Sequence, residues 1–190
     1  MSAMIPFAAI QFDVQKAAKS FTQRGFLSRS VHQPEKIDLL YLPHYIFTVE
    51  TRTPGATVEH IAVDAIHGEF SYYLPQPRRD TPESPGEIIP FVLSRAEAQE
   101  KALEGLKRAL LQASLKRGKA FEIQGILRQE KIYLPFWLAY FRKKHRVHIA
   151  IIDALEGRPQ GSKVKRMVLH ALSTLPGSPA APADESHQNK

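Results

Sequence analysis

The chain contains no cysteine, a single tryptophan and three methionines among its 190 residues. Without cysteine there is no disulfide framework, no thiol nucleophile and no zinc ribbon. That absence also suits a reducing compartment, so the expected location is cytoplasmic. Long apolar runs are missing as well. The longest, residues 132–141 (IYLPFWLAYF), is about half the length a bilayer-spanning helix needs. The N-terminal MSAMIPFAAIQFD has no basic leader and only a short apolar stretch, so no signal peptide is expected. Nucleophile-elbow, Walker A and dinucleotide-binding motifs are all absent, so no catalytic residue and no cofactor is assigned. The eight histidines include no pair at helical i, i+4 spacing with an adjacent glutamate, and no metal site is assigned either.

What is present is an ordinary globular composition, 43% hydrophobic and 24% charged, enough to build a core. Residues 175–190 depart from it. They hold no large apolar side chain after the first of them, which predicts a disordered tail. Charge is unevenly placed. Residues 1–87 carry 8 basic and 10 acidic side chains, and residues 88–190 carry 18 and 9, so the net charge of +7 belongs to the second half.

Three landmarks recur in the same order. Ile5-Pro6-Phe7 returns as Ile89-Pro90-Phe91. Tyr41-Leu42-Pro43 returns as Tyr133-Leu134-Pro135, followed by His44-Tyr45 and Phe136-Trp137 respectively. Val63-Asp64-Ala65-Ile66-His67-Gly68 returns as Ile152-Asp153-Ala154-Leu155-Glu156-Gly157. The offsets are 84, 92 and 89 residues, a spread that loop-length changes would produce. The expectation is an α+β protein made by tandem duplication of a helix plus antiparallel β-meander unit. The first repeat takes residues 1–74, a proline-rich linker 75–87, the second repeat 88–174 and the tail 175–190.

Each copy opens on a helix. In the second, Ser94 and Glu97 form an S-x-x-E capping box, with Ala98, Ala102, Leu106, Leu110 and Leu111 at helical spacing behind it. In the first, Val14, Ala17, Ala18 and Phe21 share a face, and Gly25 is the stop. Strands are expected at 37–42, 44–52, 57–66 and 69–74, and at 120–127, 129–134, 136–142 and 146–153, with a last helix over 163–173.

The Ile88-Ile89-Pro90-Phe91 segment leads into a helix with Ala96 and Ala98, and Tyr133-Leu134-Pro135-Phe136-Trp137 follows. This pattern resembles the uncharacterised region that follows the zinc ribbons in many bacterial and archaeal zinc-ribbon proteins. The likeness covers about two-thirds of the chain and implies a fold rather than an activity. Those proteins carry cysteine pairs, so no metal role transfers here. The Asp-Ala-x-x-Gly hairpins are similar in shape to cystatin-like and PepSY-like modules, where a helix packs on a curled antiparallel sheet.

Two groups of residues are candidates for function. Tyr41, Tyr45, Tyr133, Phe136 and Trp137 would line a binding groove or interface; the alternative is a proline bend with its aromatics in the core. From Phe136 to Phe141 both strand faces are apolar, so the second face must meet the other copy, another subunit or a ligand. The basic set Arg142, Lys143, Lys144, Arg146, Lys163, Lys165 and Arg166 would contact a polyanion; the alternative is a solubilising, edge-blunting surface. Asp64 and Asp153 are open to acid–base work as a pair, but each begins a tight turn before a glycine, and turn formation is the preferred reading. The expected function is a non-catalytic protein-interaction or assembly module, acting as a homodimer or with a protein partner. The alternative is a nucleic-acid-binding protein that uses the basic second repeat.

Overall fold

The computed structural model describes residues 5–23, 33–52, 55–73, 79–80, 86–118, 120–143 and 146–174. Its strands are β1 (Phe7–Ala8), β2 (Lys36–Arg52), β3 (Ala56–Asp64), β4 (Phe70–Tyr72), β5 (Arg79–Asp80), β6 (Glu87–Ile88), β7 (Glu122–Lys143) and β8 (Arg146–Asp153). Its helices are α1 (Val14–Gln23), α2 (Arg95–Arg117) and α3 (Ser162–Thr174). The class is α+β, as expected. The predicted tail and the proposed helix stop at Gly25 lie outside the described residues.

The sheet is organised by one long ribbon. β2 and β7 run antiparallel from Lys36 opposite Tyr140 to Arg52 opposite Glu122. The sequence reading breaks both strands at proline, and the structure does not. Pro43 stands opposite Tyr133, and Pro135 opposite Tyr41. Tyr133 donates its N–H outward to Pro6 O, and the carbonyls of Pro43 and Pro135 accept outward from Ala65 and Ala154 at 2.9 and 3.0 Å. Both pairs are therefore the non-hydrogen-bonded pairs of the ladder, where the missing proline N–H removes nothing between β2 and β7. On its outward side each proline meets a change of neighbour. Beside Pro43, β2 passes from β6 to β3; beside Pro135, β7 passes from β1 to β8. The expected break near residue 128 is a bulge instead: Thr48 faces Arg128 and Val49 faces Ile126, leaving Leu127 over. Part of the expected linker also joins the sheet, as β5 pairs with β1.

Side-chain alternation along the ribbon sorts the core into two faces. Odd positions of β2 point to α1 and α2. Leu39 and Tyr41 join Trp137, Ala139 and Ile152 against Ala17 and Phe21 of α1. Tyr45, Phe47 and Val49 join Ile61 and Val63 against Ala98, Ala102, Leu106 and Leu110 of α2. Even positions point the other way. Leu40, Leu42, Leu134, Phe136 and Leu138 pack with Met167, Val168 and Ala171 of α3. Both faces of the apolar stretch 136–141 are thus covered within the chain, by α1 on one side and α3 on the other.

The helices cross over. α1, from the first half, lies on β7 and β8 of the second and on the start of β2, while α2, from the second half, lies on β2, β3 and β4 of the first. Matched contacts pin both crossings. Gln11 and Phe12 donate backbone N–H to Ala154 O; Val92 and Leu93 donate to Ala65 O. Trp137 Nε1 donates to Phe12 O at 2.6 Å, and Tyr45 Oη donates to Leu93 O at 2.9 Å. The accepting carbonyls belong to the residues just before the helix caps. Asp13 caps α1 by accepting from Lys16 N–H, and Ser94 caps α2 in a complete capping box with Glu97. Gly157, at φ 70°, leaves room only for the Phe12 ring, which a Cβ there would strike at 2.6 Å.

Trp137 and Tyr45 therefore act as bolts between the halves. Trp137→Ala is expected to cost about 3–5 kcal/mol of stability without changing the oligomeric state. Trp137→Phe should cost about 1–3 kcal/mol, because Phe12 O is left without its donor. Urea unfolding monitored by circular dichroism checks both values, and light scattering checks the size.

Candidate functional site

Beneath α3, on the even face of the ribbon, lies a cleft of about 560 Å³. Its position follows from the fold. The two Asp-Ala-x-x-Gly turns end β3 and β8, the ribbon runs between them, and the N-terminal turn of α3 leans over the top. Ala62, Leu134, Phe136, Val164 and Met167 supply the apolar lining. His44, Asp64, Asp153, Gln160, Glu69, Glu156, Arg158 and Lys163 supply the polar groups.

The two turns share one geometry. Asp64 N–H donates to Glu69 O and Gly68 N–H to Asp64 O; Asp153 N–H donates to Arg158 O and Gly157 N–H to Asp153 O. Gly68 and Gly157 take φ of 79° and 70°, where a side chain would be strained. The aspartate side chains differ. Asp64 is buried and accepts from the N–H groups of Ile66, His67 and Glu69. Asp153 accepts from Leu155 N–H at 2.7 Å. Burial pushes the Asp153 carboxyl above its ordinary value, with the Leu155 hydrogen bond pulling the other way. Turn formation, the preferred reading of both residues, describes Asp64 fully and Asp153 in part.

His44 was not a candidate in the sequence. It occupies the place that Phe136 holds after the other Tyr-Leu-Pro, and the two rings stack near the ribbon midpoint, 6.4 Å apart and 22° from parallel. His44 is only 8% exposed, and its Nδ1 lies 3.0 Å from Leu42 O. A carbonyl can only accept, so Nδ1 carries the proton. Burial lowers the imidazole pKa, with the Leu42 hydrogen bond and the Asp64 charge pulling back. The ring is therefore neutral, and Nε2 offers a lone pair at the cleft wall. The available signal was the pairing of His44 with Phe136 at matched places: a flat ring suffices for packing there, and only one of the two carries nitrogen.

The remaining candidates are scattered. Tyr41, Tyr45 and Trp137 are buried on the α1/α2 face, and Tyr133 is half-buried there, stacked on Phe7. Phe136 alone of the five reaches the cleft. Of the basic set, Lys163 pairs with Glu69 at 2.9 Å on the cleft rim, and Arg142 pairs with Glu35 at 3.3 Å. Six residues of strand, about 20 Å, separate Phe136 on the cleft wall from Arg142. The side chain of Lys143, and Lys144 altogether, lie outside the described residues. Arg146, Lys165 and Arg166 form no ion pair among the described residues. No three histidine, aspartate or glutamate side chains among the described residues stand close enough to hold a metal ion. No helix among them is long and apolar enough to cross a membrane.

No family model, no curated protein and no solved structure matches this chain.

The buried histidine carries a pH signature. Its folded-state pKa lies below the unfolded value of about 6.5, so the unfolded chain binds the extra proton in that window. The stability contributed by neutral His44 is complete above about pH 6.5 and is lost as pH falls toward the folded value. His44→Phe, which copies Phe136, should flatten this decline. Urea midpoints measured across pH 5–8 for both proteins test it.

Proposed function

We propose that this chain is a non-catalytic binding module, and that its partner is recognised in the cleft beneath α3. The observation that carries this reading is the pairing of His44 with Phe136. Burying an imidazole where a phenyl ring would pack sacrifices solvation of a polar group. That choice is accounted for by a ligand that uses Nε2. A cleft of about 560 Å³, apolar in its floor and polar at its rim, falls within the size range of pockets that hold small molecules or a few side chains of a partner protein. The absence of cysteine suits work in a reducing, cytoplasmic setting.

The proposal includes the origin of the module. Duplication of one α+β unit, at residues 1–74 and 88–174, would give the paired turns, the paired cap contacts and the ribbon whose two Tyr-Leu-Pro segments face each other. The cleft then belongs to neither unit alone. It forms where the two meet, and α3 closes it from one side. A homodimer is not needed to build such a site.

A second reading, nucleic-acid binding, is favoured by the lack of ion pairs at Arg146, Lys165 and Arg166 among the described residues. It predicts affinity for a single-stranded oligonucleotide that falls at least tenfold between about 50 and 200 mM salt. Fluorescence anisotropy at the two salt concentrations decides it, and the cleft reading expects no measurable binding at the higher one.

The cleft reading is tested by blocking it. Ser71 sits exposed on the rim, so Ser71→Trp should place an indole across the opening without disturbing the core. A thermal-shift screen of small amphipathic compounds should find molecules that stabilise the wild-type chain and leave Ser71→Trp unmoved. Equal stabilisation of both proteins would put the binding site elsewhere.

A further inference from the structure

We infer that the cleft beneath α3 selects a protonated amine or guanidinium carried on an apolar body, held by acceptors at His44 Nε2 and the Asp153 carboxylate. The inference rests on the cleft reading above and names the chemistry of its ligand.

The inner wall offers acceptors. Nδ1 of His44 is committed as a donor to Leu42 O at 3.0 Å, which leaves Nε2 as an acceptor. Nε2 has no hydrogen-bond partner among the described residues, although the residue is more than nine-tenths buried. No fully buried side-chain nitrogen or oxygen among those residues lacks a partner. Nε2 is therefore reached from the cleft that its ring lines. A group that satisfies this atom must bring an N–H or O–H.

Charge narrows the choice. The cations on the rim are already neutralised: Arg158 Nε lies 2.7 Å from Glu156, and Lys163 Nζ lies 2.9 Å from Glu69. Asp64 and Asp153 remain, with no ion pair to either among the described residues, although the Arg158 charge favours the Asp153 carboxylate. Asp64 is taken up by three backbone N–H groups of its own turn. Asp153 is less fully taken up: it accepts from the Leu155 N–H through Oδ1, with the Glu156 N–H a weaker second donor. On a chain of net charge +7, this cleft is a local negative site. A carboxylate or phosphate would be repelled, and a neutral donor would add nothing to the partial compensation that the Arg158 charge gives Asp153. An ammonium or guanidinium brings the N–H that His44 Nε2 needs and the charge that Asp153 favours. The body of such a ligand would lie against Phe136, whose ring face favours a nearby cation, and against Met167.

The same chemistry has two sources, a free amine or the basic side chain of a partner protein. NMR titration of the 15N-labelled chain separates them, using 2-phenylethylamine, the N-acetylated dipeptide amide Phe-Lys and the anionic 3-phenylpropionate as probes. The amine or the dipeptide should shift the Ala62, Leu134 and Met167 amides. His44→Phe, a substitution that the Phe136 position shows to be compatible with packing, should weaken that binding about tenfold or more. Asp153→Asn, which keeps the acceptor for Leu155, should weaken it as well. Shifts from the free amine alone identify a small-molecule site, and shifts from the dipeptide alone identify a protein partner. If 3-phenylpropionate binds at these residues as tightly as the cations, the choice of a cationic ligand is overturned while the cleft remains a binding site. If none of the three probes moves these amides, the cleft reading itself falls.

Discussion

Everything in this fold hangs on the register between β2 and β7. The two strands pair over the whole length of β2, with Leu42 opposite Leu134 near the middle. A slip of one residue would turn one strand over against the other, sending Tyr45 and Phe47 of β2 toward α3 and Leu40 and Leu42 toward α1 and α2. Both faces are apolar in the 136–141 region, so alternation alone does not forbid such a slip there. The prolines do. At Pro43 and Pro135 the missing N–H is harmless only in a non-hydrogen-bonded pair, and a shift of either strand by one would place its proline where the ladder needs a donor. The feature that reads as a strand break is what fixes the register.

From that register the rest follows in order. It sets the two Tyr-Leu-Pro segments against each other and brings the Asp-Ala-x-x-Gly turns to the same region on opposite sides of the ribbon. It also places Tyr45 and Trp137 where each reaches the carbonyl ahead of a helix cap. The cleft is a by-product of this arrangement. Two similar hairpins meeting about a ribbon leave a hollow between their turns, and α3 roofs the hollow. The two halves depart from strict correspondence at a few positions there. His44 against Phe136 is one, and the uneven hydrogen bonding of Asp64 and Asp153 is another.

Much of the local structure was legible in the sequence. The capping box at Ser94, the spacing of Ala98, Ala102 and Leu106, and the glycines that end both turns fixed the elements they belong to. Leu111 is half exposed while its neighbour Leu110 is buried, because it lies off the stripe that Ala98, Ala102, Leu106 and Leu110 turn to the sheet. The strand boundaries at proline were misread because propensity treats proline as a breaker irrespective of ladder position. The crossing of the helices was not legible at all. Periodicity shows that α1 and α2 have an apolar face, but not which half of the chain that face meets. The cleft was hidden for a related reason: its residues come from β2, β3, β7, α3 and both turns, and His44 looked like one half of an aromatic pair.

The crossed helices also bear on how the chain is made. A ribosome releases the first half well before α2 exists, so β2 and β3 emerge with Tyr45, Phe47, Ile61 and Val63 lacking the helix that covers them. Conversely, α1 appears first and its docking surface, at Trp137 and Ala139, appears more than a hundred residues later. Neither half can complete its core alone, and the central pairing joins segments far apart in sequence, which slows closure. The nascent first half is thus an obligate intermediate with an exposed apolar sheet, the kind of surface that chaperones hold. Because both halves are on one chain, the surface each needs is always present, at a local concentration that no dilution of the protein can lower.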